Sequence, residues 1–182
     1  MKRNVFVILL LIALAVSVYG QTADDFIKSG NAAYNQKDYR KAIADFTEAI
    51  QLNPNSAEAY QMRGQATAHY NSLSPDKATV ERIIADFTEA IRLNPNSTAG
   101  YYTRGQIYNW VAIRDPDKAI ADFTQCIRID PNYIDAYRHR AKTYYEKGDY
   151  KQAREDVNKA LQISPNNQEM KDLDAKLKEK GY

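Results

Sequence analysis

The sequence predicts an all-α fold, a solenoid of four helix-turn-helix units closed by a C-terminal capping helix. Three observations predict it. The heptapeptide Ala-Asp-Phe-Thr-Glu-Ala-Ile at 44–50 recurs letter for letter at 85–91, and again at 121–127 with Gln125 and Cys126 as the only changes. Prolines 54, 95, 131 and 165 follow Asn53, Asn94, Asp130 and Ser164 at spacings of 41, 36 and 34 residues. A period of that size marks stacked supersecondary units. Each unit also holds two stretches with apolar residues three and four apart, the helical spacing.

Composition allows such an array and excludes several others. The 182 residues are 44% hydrophobic and 26% charged, enough apolar material for one continuous core. One Cys excludes an internal disulfide framework, and with two His it argues against a structural zinc site. A net charge of +2 is too small for a nucleic-acid footprint.

The chain opens with the basic Met1-Lys2-Arg3-Asn4 and the apolar run Val5 to Val18. As a helix that run spans only about 21 Å, short of a hydrocarbon core of about 30 Å. Ser17-Val18-Tyr19-Gly20 then gives way to polar sequence. This is the pattern of a secretory signal peptide at 1–20, cleaved after Gly20. No Cys follows the run, so it is not a lipoprotein anchor; an uncleaved membrane anchor is the alternative. Loss of Lys2 and Arg3 leaves 23 basic and 23 acidic residues, so the exported chain is neutral. An unpaired Cys126 suits an oxidising compartment, and a bacterial periplasm fits best. In eukaryotic secretion Asn96-Ser97-Thr98 would be a glycosylation sequon.

The units fall at about 23–56, 57–97, 98–131 and 134–167, within a domain of 21–180. In the first, Phe26, Gly30, Ala33 and Tyr34 mark one helix, and Ile43, Phe46, Ala49 and Ile50 the next. The second carries Tyr60, Arg63 and Gly64, then Ile83, Phe87 and Ala90; the third carries Tyr101, Arg104, Gly105 and Tyr108, then Ala119, Phe123 and Cys126. The fourth carries Tyr137, Arg140, Ala141 and Tyr144, then Ala153, Val157 and Ala160. Gly30, Gly64 and Gly105 sit mid-helix, where Gly costs about 1 kcal/mol relative to Ala. A cost recurring at one register predicts a neighbour passing close over it. Ala49, Ala90, Cys126 and Ala160 occupy the matching small-residue slot, so Cys126 reads as a packed side chain. The prolines end each second helix, and Asn or Ser beyond them can cap the next helix. Residues 168–180 place Met170, Leu173 and Leu177 on one face among mixed charges, as expected of a solvating cap.

These registered residues, from Phe26-x2-Ser29-Gly30 through Ala153-x3-Val157 and Pro165, resemble the tetratricopeptide repeat family over residues 23–167. The resemblance implies a right-handed superhelix whose first helices line a concave binding face. Carried over by register, that face comprises Asn31, Tyr34 and Asn35, then Gln65 and His69, then Tyr102, Gln106, Asn109 and Trp110, then Arg138, His139, Lys142 and Tyr145. Amides and aromatics of this kind suit adaptable hydrogen bonding and flat apolar contact; the alternative is that the Tyr and Trp side chains plug gaps between helices. One family branch clamps the C-terminal carboxylate of chaperones. Only Asn31 fits that pattern, because Ile27, Met62, Ala99 and Thr103 fill the other clamp registers.

Two features stand apart from the repeat. Pro75-Asp76-Lys77-Ala78 matches Pro116-Asp117-Lys118-Ala119, yet Ala78 lies nine residues before Phe87 and Ala119 only four before Phe123. The insertion, Thr79 to Ile83, either starts the helix early, projecting by about 7 Å, or kinks it, and it is a secondary candidate for contact. Arg63, Arg104 and Arg140 recur at one slot where the first unit has Ser29, while Asp45, Asp86 and Asp122 sit in the preceding units. The expected pairs are Asp45–Arg63, Asp86–Arg104 and Asp122–Arg140, a structural ladder between units, with an anion-binding strip as the alternative.

No phosphate loop, nucleophile elbow or metal-ligand spacing is present in the sequence, and Glu48 and Glu89 recur with the repeat on an exposed face. The expectation is a non-catalytic scaffold without cofactor or metal, binding a protein or peptide and no nucleic acid, with no membrane span once the leader is removed. Its rivals are a self-associating structural component of the cell envelope and an accessory subunit of an envelope enzyme.

Overall fold

The structure is a computed structural model that describes residues 20–71, 75–110 and 113–182. The leader expected at 1–20 lies outside the described residues except for Gly20. Among the described residues there are nine α-helices and no strands. They are α1 (Ala23–Asn35), α2 (Tyr39–Leu52), α3 (Ala57–Tyr70), α4 (Lys77–Leu93), α5 (Thr98–Tyr108), α6 (Pro116–Ile129), α7 (Ile134–Lys147), α8 (Tyr150–Ile163) and α9 (Gln168–Glu179). Each helix packs on its neighbours in the chain, from α1 on α2 through α8 on α9. The result is a solenoid of helix pairs.

Caps set the helix starts. The hydroxyls of Ser56 and Ser97 accept from the backbone N–H groups of Ala59 and Gly100 at 3.2 and 3.1 Å, and Asn167 accepts from Met170 at 3.1 Å. The start of α7 departs from this, because Tyr133 stands at its N-cap with no side-chain cap. Its ring packs edge-on against Tyr102 instead, with centroids 5.4 Å apart.

One contact holds each pair together. Phe46, Phe87 and Phe123 are fully buried, each lying over the mid-helix glycine of its unit. A Cβ on Gly30 would stand 2.7 Å from Phe46, one on Gly64 3.0 Å from Phe87, and one on Gly105 2.8 Å from Phe123. The close neighbour expected from the glycines is therefore an aromatic ring. The fourth unit makes the complementary choice, with Ala141 and Val157 both fully buried. Cys126 is fully buried, and its thiol donates to the Thr98 carbonyl at 3.4 Å. Burial pushes that thiol up to about 12.

The arginine ladder forms, but with other partners than the sequence suggested. Arg63 donates two bonds to Asp86 at 3.0 and 2.6 Å, Arg104 two to Asp122 at 2.8 Å each, and Arg140 two to Asp156 at 2.8 and 2.7 Å. Each carboxylate belongs to the arginine's own unit. The pairings Asp45–Arg63, Asp86–Arg104 and Asp122–Arg140 are corrected accordingly. The arginine instead reaches the preceding unit through a threonine hydroxyl: Arg63 to Thr47 at 3.5 Å, Arg104 to Thr88 at 3.0 Å, Arg140 to Thr124 at 2.8 Å. Asp156, one residue before Val157, is the fourth carboxylate of the register, so supply exceeds demand by one. The surplus is Asp45, which pairs with Lys41 at 2.5 Å. The same ammonium donates to Ser29 at 2.7 Å, filling the place the missing arginine would occupy.

The insertion also differs from expectation. α4 starts early and runs for 17 residues, against 14 for α2. Its extra turn does not project, since Val80 and Ile83 are fully buried with Phe87 and Ile107. Trp110 and Ile113 pack against them. They come from the turn after the short α5, whose close needs a left-handed Arg114 (φ 46°). A longer helix is thus covered by a longer turn.

The first unit differs on its outer face. The slot of the buried Ala59, Gly100 and Ala136 holds an exposed Asp25 in α1, and the slot of Ala66, Ile107 and Thr143 holds an exposed Ala32. At the other end α9 buries Met170, Leu173 and Leu177 against α7 and α8.

Candidate functional site

The first helices α3, α5 and α7 line two adjoining cavities. One, of about 410 Å3, lies between α3 and α5 and is bounded by Gln65, Ala68, His69, Thr103, Gln106, Ile107 and Trp110. The other, of about 290 Å3, lies between α5 and α7 and is bounded by Gln106, Asn109, Trp110, His139, Lys142, Thr143 and Glu146. Gln106 and Trp110 bound both, so the two cavities adjoin across these side chains and together make a groove along three units. The repeat geometry explains the alignment: residues one, four and five after the mid-helix glycine fall on this side in the second and third units, as do Lys142 and Glu146, one and five after Ala141, in the fourth.

Seven of the residues expected on the binding face line it: Gln65, His69, Gln106, Asn109, Trp110, His139 and Lys142. The others stand elsewhere in the packing. Asn31 donates to Glu58 at 3.2 Å, and its carbonyl oxygen is buried without a partner among the described residues. Tyr34 packs edge-on to Tyr39 and His69, while Tyr39 and His69 stack at 5.3 Å. Asn35 is exposed at the end of α1. Tyr145 packs on Tyr150 at 5.3 Å. Tyr102 is wedged among Phe123, Tyr133 and His139, and burial pushes its hydroxyl up to about 12. Arg138 is held by Asp135 and by Glu169 of α9. Tyr34, Tyr102 and Tyr145 thus pack against rings of neighbouring helices.

The groove wall is ordered by its own bonds. Gln106 donates to Tyr102 at 3.1 Å and lies 3.4 Å from the His139 ring nitrogen. Asn109 donates to Thr143 at 2.8 Å. His139 stacks on Phe123 at 5.6 Å, and burial, with Arg138 and Lys142 nearby, lowers its pKa, so the ring is neutral at neutral pH. Thr103, Thr143, Ala68, Ile107 and Glu146 were not singled out by the sequence as binding residues. Glu146 had a signal: it occupies the register of His69 and Trp110.

A further cavity of about 520 Å3 lies on the side of the second helices, between α2 and α4 behind α3. Its charged groups are engaged, Arg63 with Asp86 and Arg82 with the Thr79 hydroxyl at 3.0 Å. Among the described residues there is no cluster of three His, Cys, Asp or Glu able to hold a metal ion, and no helix is long and apolar enough to cross a membrane.

Comparison with known proteins agrees with this architecture. Tetratricopeptide-repeat profiles match residues 27–56 and 112–177. No curated protein sequence matches the chain. Among solved structures, the chain is similar to MamA, with 25% identity over 84% of each chain and a TM-score of 0.73. It is also similar to a thermophilic repeat protein of Thermus thermophilus, at 19% identity over 94% of this chain and 87% of that one, with a TM-score of 0.63. A tetratricopeptide repeat protein of Parabacteroides merdae aligns at 15% identity over 85% of this chain and 58% of its own, with a TM-score of 0.72. The last two likenesses speak to the fold alone.

Proposed function

We propose that this chain, an all-α solenoid of tetratricopeptide repeats, is a non-catalytic scaffold that binds a protein or peptide segment in the groove of α3, α5 and α7. The observation that carries the reading is that the two cavities adjoin across Gln106 and Trp110. An extended segment laid there meets amides at Gln65, Gln106 and Asn109, which can exchange hydrogen bonds with its backbone. It also meets Trp110, the sort of residue that dominates binding energy at interfaces. The wall groups are locked by the bonds to Tyr102 and Thr143, so little side-chain entropy is lost on binding.

Export belongs to the same proposal. The basic and apolar opening, Met1 to Val18, supports a cleaved leader and an envelope or extracellular location, a bacterial periplasm first. Mass spectrometry of the protein recovered from cells tests this directly, with a mature N-terminus expected at Gln21.

The binding reading is tested by crosslinking and capture from intact cells, comparing wild type with Trp110→Ala plus Gln106→Ala. Glu48→Ala plus Glu89→Ala, on the second helices, serves as the control. Tyr102 is left alone because it holds up the wall. Loss of the captured partner in the groove pair only is the expected result. Equal capture by both pairs, with folding intact, would remove the groove from consideration.

A further inference from the structure

We infer that the groove selects a segment carrying an apolar side chain close to a basic one. The inference rests on the groove being the binding site and specifies what enters it. The two cavities differ in chemistry. The α3/α5 cavity presents Ala68 and Trp110 over the buried Ile107, surfaces that favour an apolar side chain. The α5/α7 cavity is bounded mainly by polar groups, with one cation, Lys142, and one carboxylate, Glu146.

Three carboxylates and two cations gather at this end: Asp135, Glu146 and Glu169 against Arg138 and Lys142. Arg138 bridges Asp135 and Glu169, and Lys142 reaches Glu169 at 3.2 Å. Both cations are therefore already occupied, and the His139 ring is neutral. Glu146, exposed and bounding the cavity, has no ion pair among the described residues. Glu146 is thus the carboxylate of the three without an ion pair among the described residues, and it bounds the same cavity as Trp110. Of the two cations beyond it, Lys147 is bound to Asp117, while Arg114 shares a small cavity with Glu146 without forming an ion pair among the described residues. Arg114 is thus the local competitor for Glu146. An acidic segment would find no free cation in the groove and would add to the repulsion.

The test uses the purified chain from Gln21 to Tyr182 and a random heptapeptide display library. Enriched peptides should carry an aliphatic or aromatic residue with Lys or Arg within three positions, and few Asp or Glu. One enriched peptide, fluorescein-labelled, is then titrated by anisotropy against wild type and variants. Glu146→Gln should weaken it about two- to fivefold, the range of an exposed ion pair. That loss should vanish when the peptide's basic residue is changed to Met. Arg114→Ala should strengthen binding or leave it unchanged. Enrichment of neutral or acidic peptides, or no response to Glu146→Gln, overturns the basic-segment inference. If those peptides still lose affinity on Trp110→Ala, the groove remains the site. Enriched peptides indifferent to both Trp110→Ala and Gln106→Ala, or no enrichment at all, overturn both.

Discussion

Replacing Gly105 with Ala should destabilise the protein as it stands and stabilise it once Phe123 is Val. The added Cβ would meet Phe123 at 2.8, 3.1 and 3.2 Å from three ring carbons, where carbon atoms normally rest at about 3.5–4.0 Å. Phe123 is fully buried and stacked on His139, so the ring cannot swing away. Overpacking of this kind costs about 1–3 kcal/mol, and the helix propensity of Ala returns roughly 1 kcal/mol. The net loss is about 1 kcal/mol. Phe123→Val alone leaves a cavity over Gly105 and should cost about 2–4 kcal/mol. In that background the Ala methyl enters vacated space without a clash, as Ala141 and Val157 do in the fourth unit, and the propensity gain of about 1 kcal/mol survives. The effect of Gly105→Ala thus reverses sign between backgrounds, with a coupling of about 2 kcal/mol. Urea unfolding of the four proteins, followed by far-UV circular dichroism, measures it, with equal slopes required before midpoints are compared. An effect of the same sign in both backgrounds, or additivity within about 0.5 kcal/mol, would refute the reasoning.

Three further outcomes follow from the packing. Arg104→Ala strands the buried carboxylate of Asp122 and should cost about 3 kcal/mol, whereas Arg104→Met with Asp122→Leu should restore most of it; thermal melts of the two variants decide. Cys126, buried and with its thiol pushed up to about 12, should resist iodoacetamide at pH 8 until the chain is unfolded, and rapid labelling of the native protein would show the slot to be open. Hydrogen bonds from Arg138 and Lys142 hold the Glu169 carboxyl below its ordinary range. Because its folded value is depressed, its stabilising contribution is complete above the ordinary carboxylate range and is lost as pH falls below about 4. Glu169→Gln should flatten the acid limb of a stability-against-pH curve, and an unchanged limb would assign that loss to other groups.

How much the sequence disclosed varied with how local the physics was. The helix pairs, the close approach over the glycines and the buried small residue at Cys126 follow from spacing within one unit. The arginine partners do not: Arg104 stands 18 residues from Asp122, and Asp86 is equally far behind it. Sequence distance cannot choose between them; only the tilt of the helix does. The fourth unit has Glu155-Asp156-Val157 where the others have Ala-Asp-Phe, and the lost match hid Asp156 and with it the surplus that frees Asp45 for Lys41. The insertion Thr79 to Ile83 looked like a protrusion because its cover, Trp110 and Ile113, comes from a separate turn. The same blindness applies to Tyr102, whose register is right for the binding face but whose ring is claimed by Phe123, Tyr133 and His139.

Trp110 is the single tryptophan of the chain, and it both walls the groove and covers the added turn of α4. Its emission therefore reports two events, arrival of a ligand and parting of the second and third units. Those events are thermodynamically linked. A segment lying across α3, α5 and α7 touches three units at once and acts as a splint, because separating the units would forfeit its contacts. At a ligand concentration a hundred times the dissociation constant, such linkage adds about 2.7 kcal/mol to the resistance against opening. Red-shifted indole emission on heating should then be delayed by a true groove ligand.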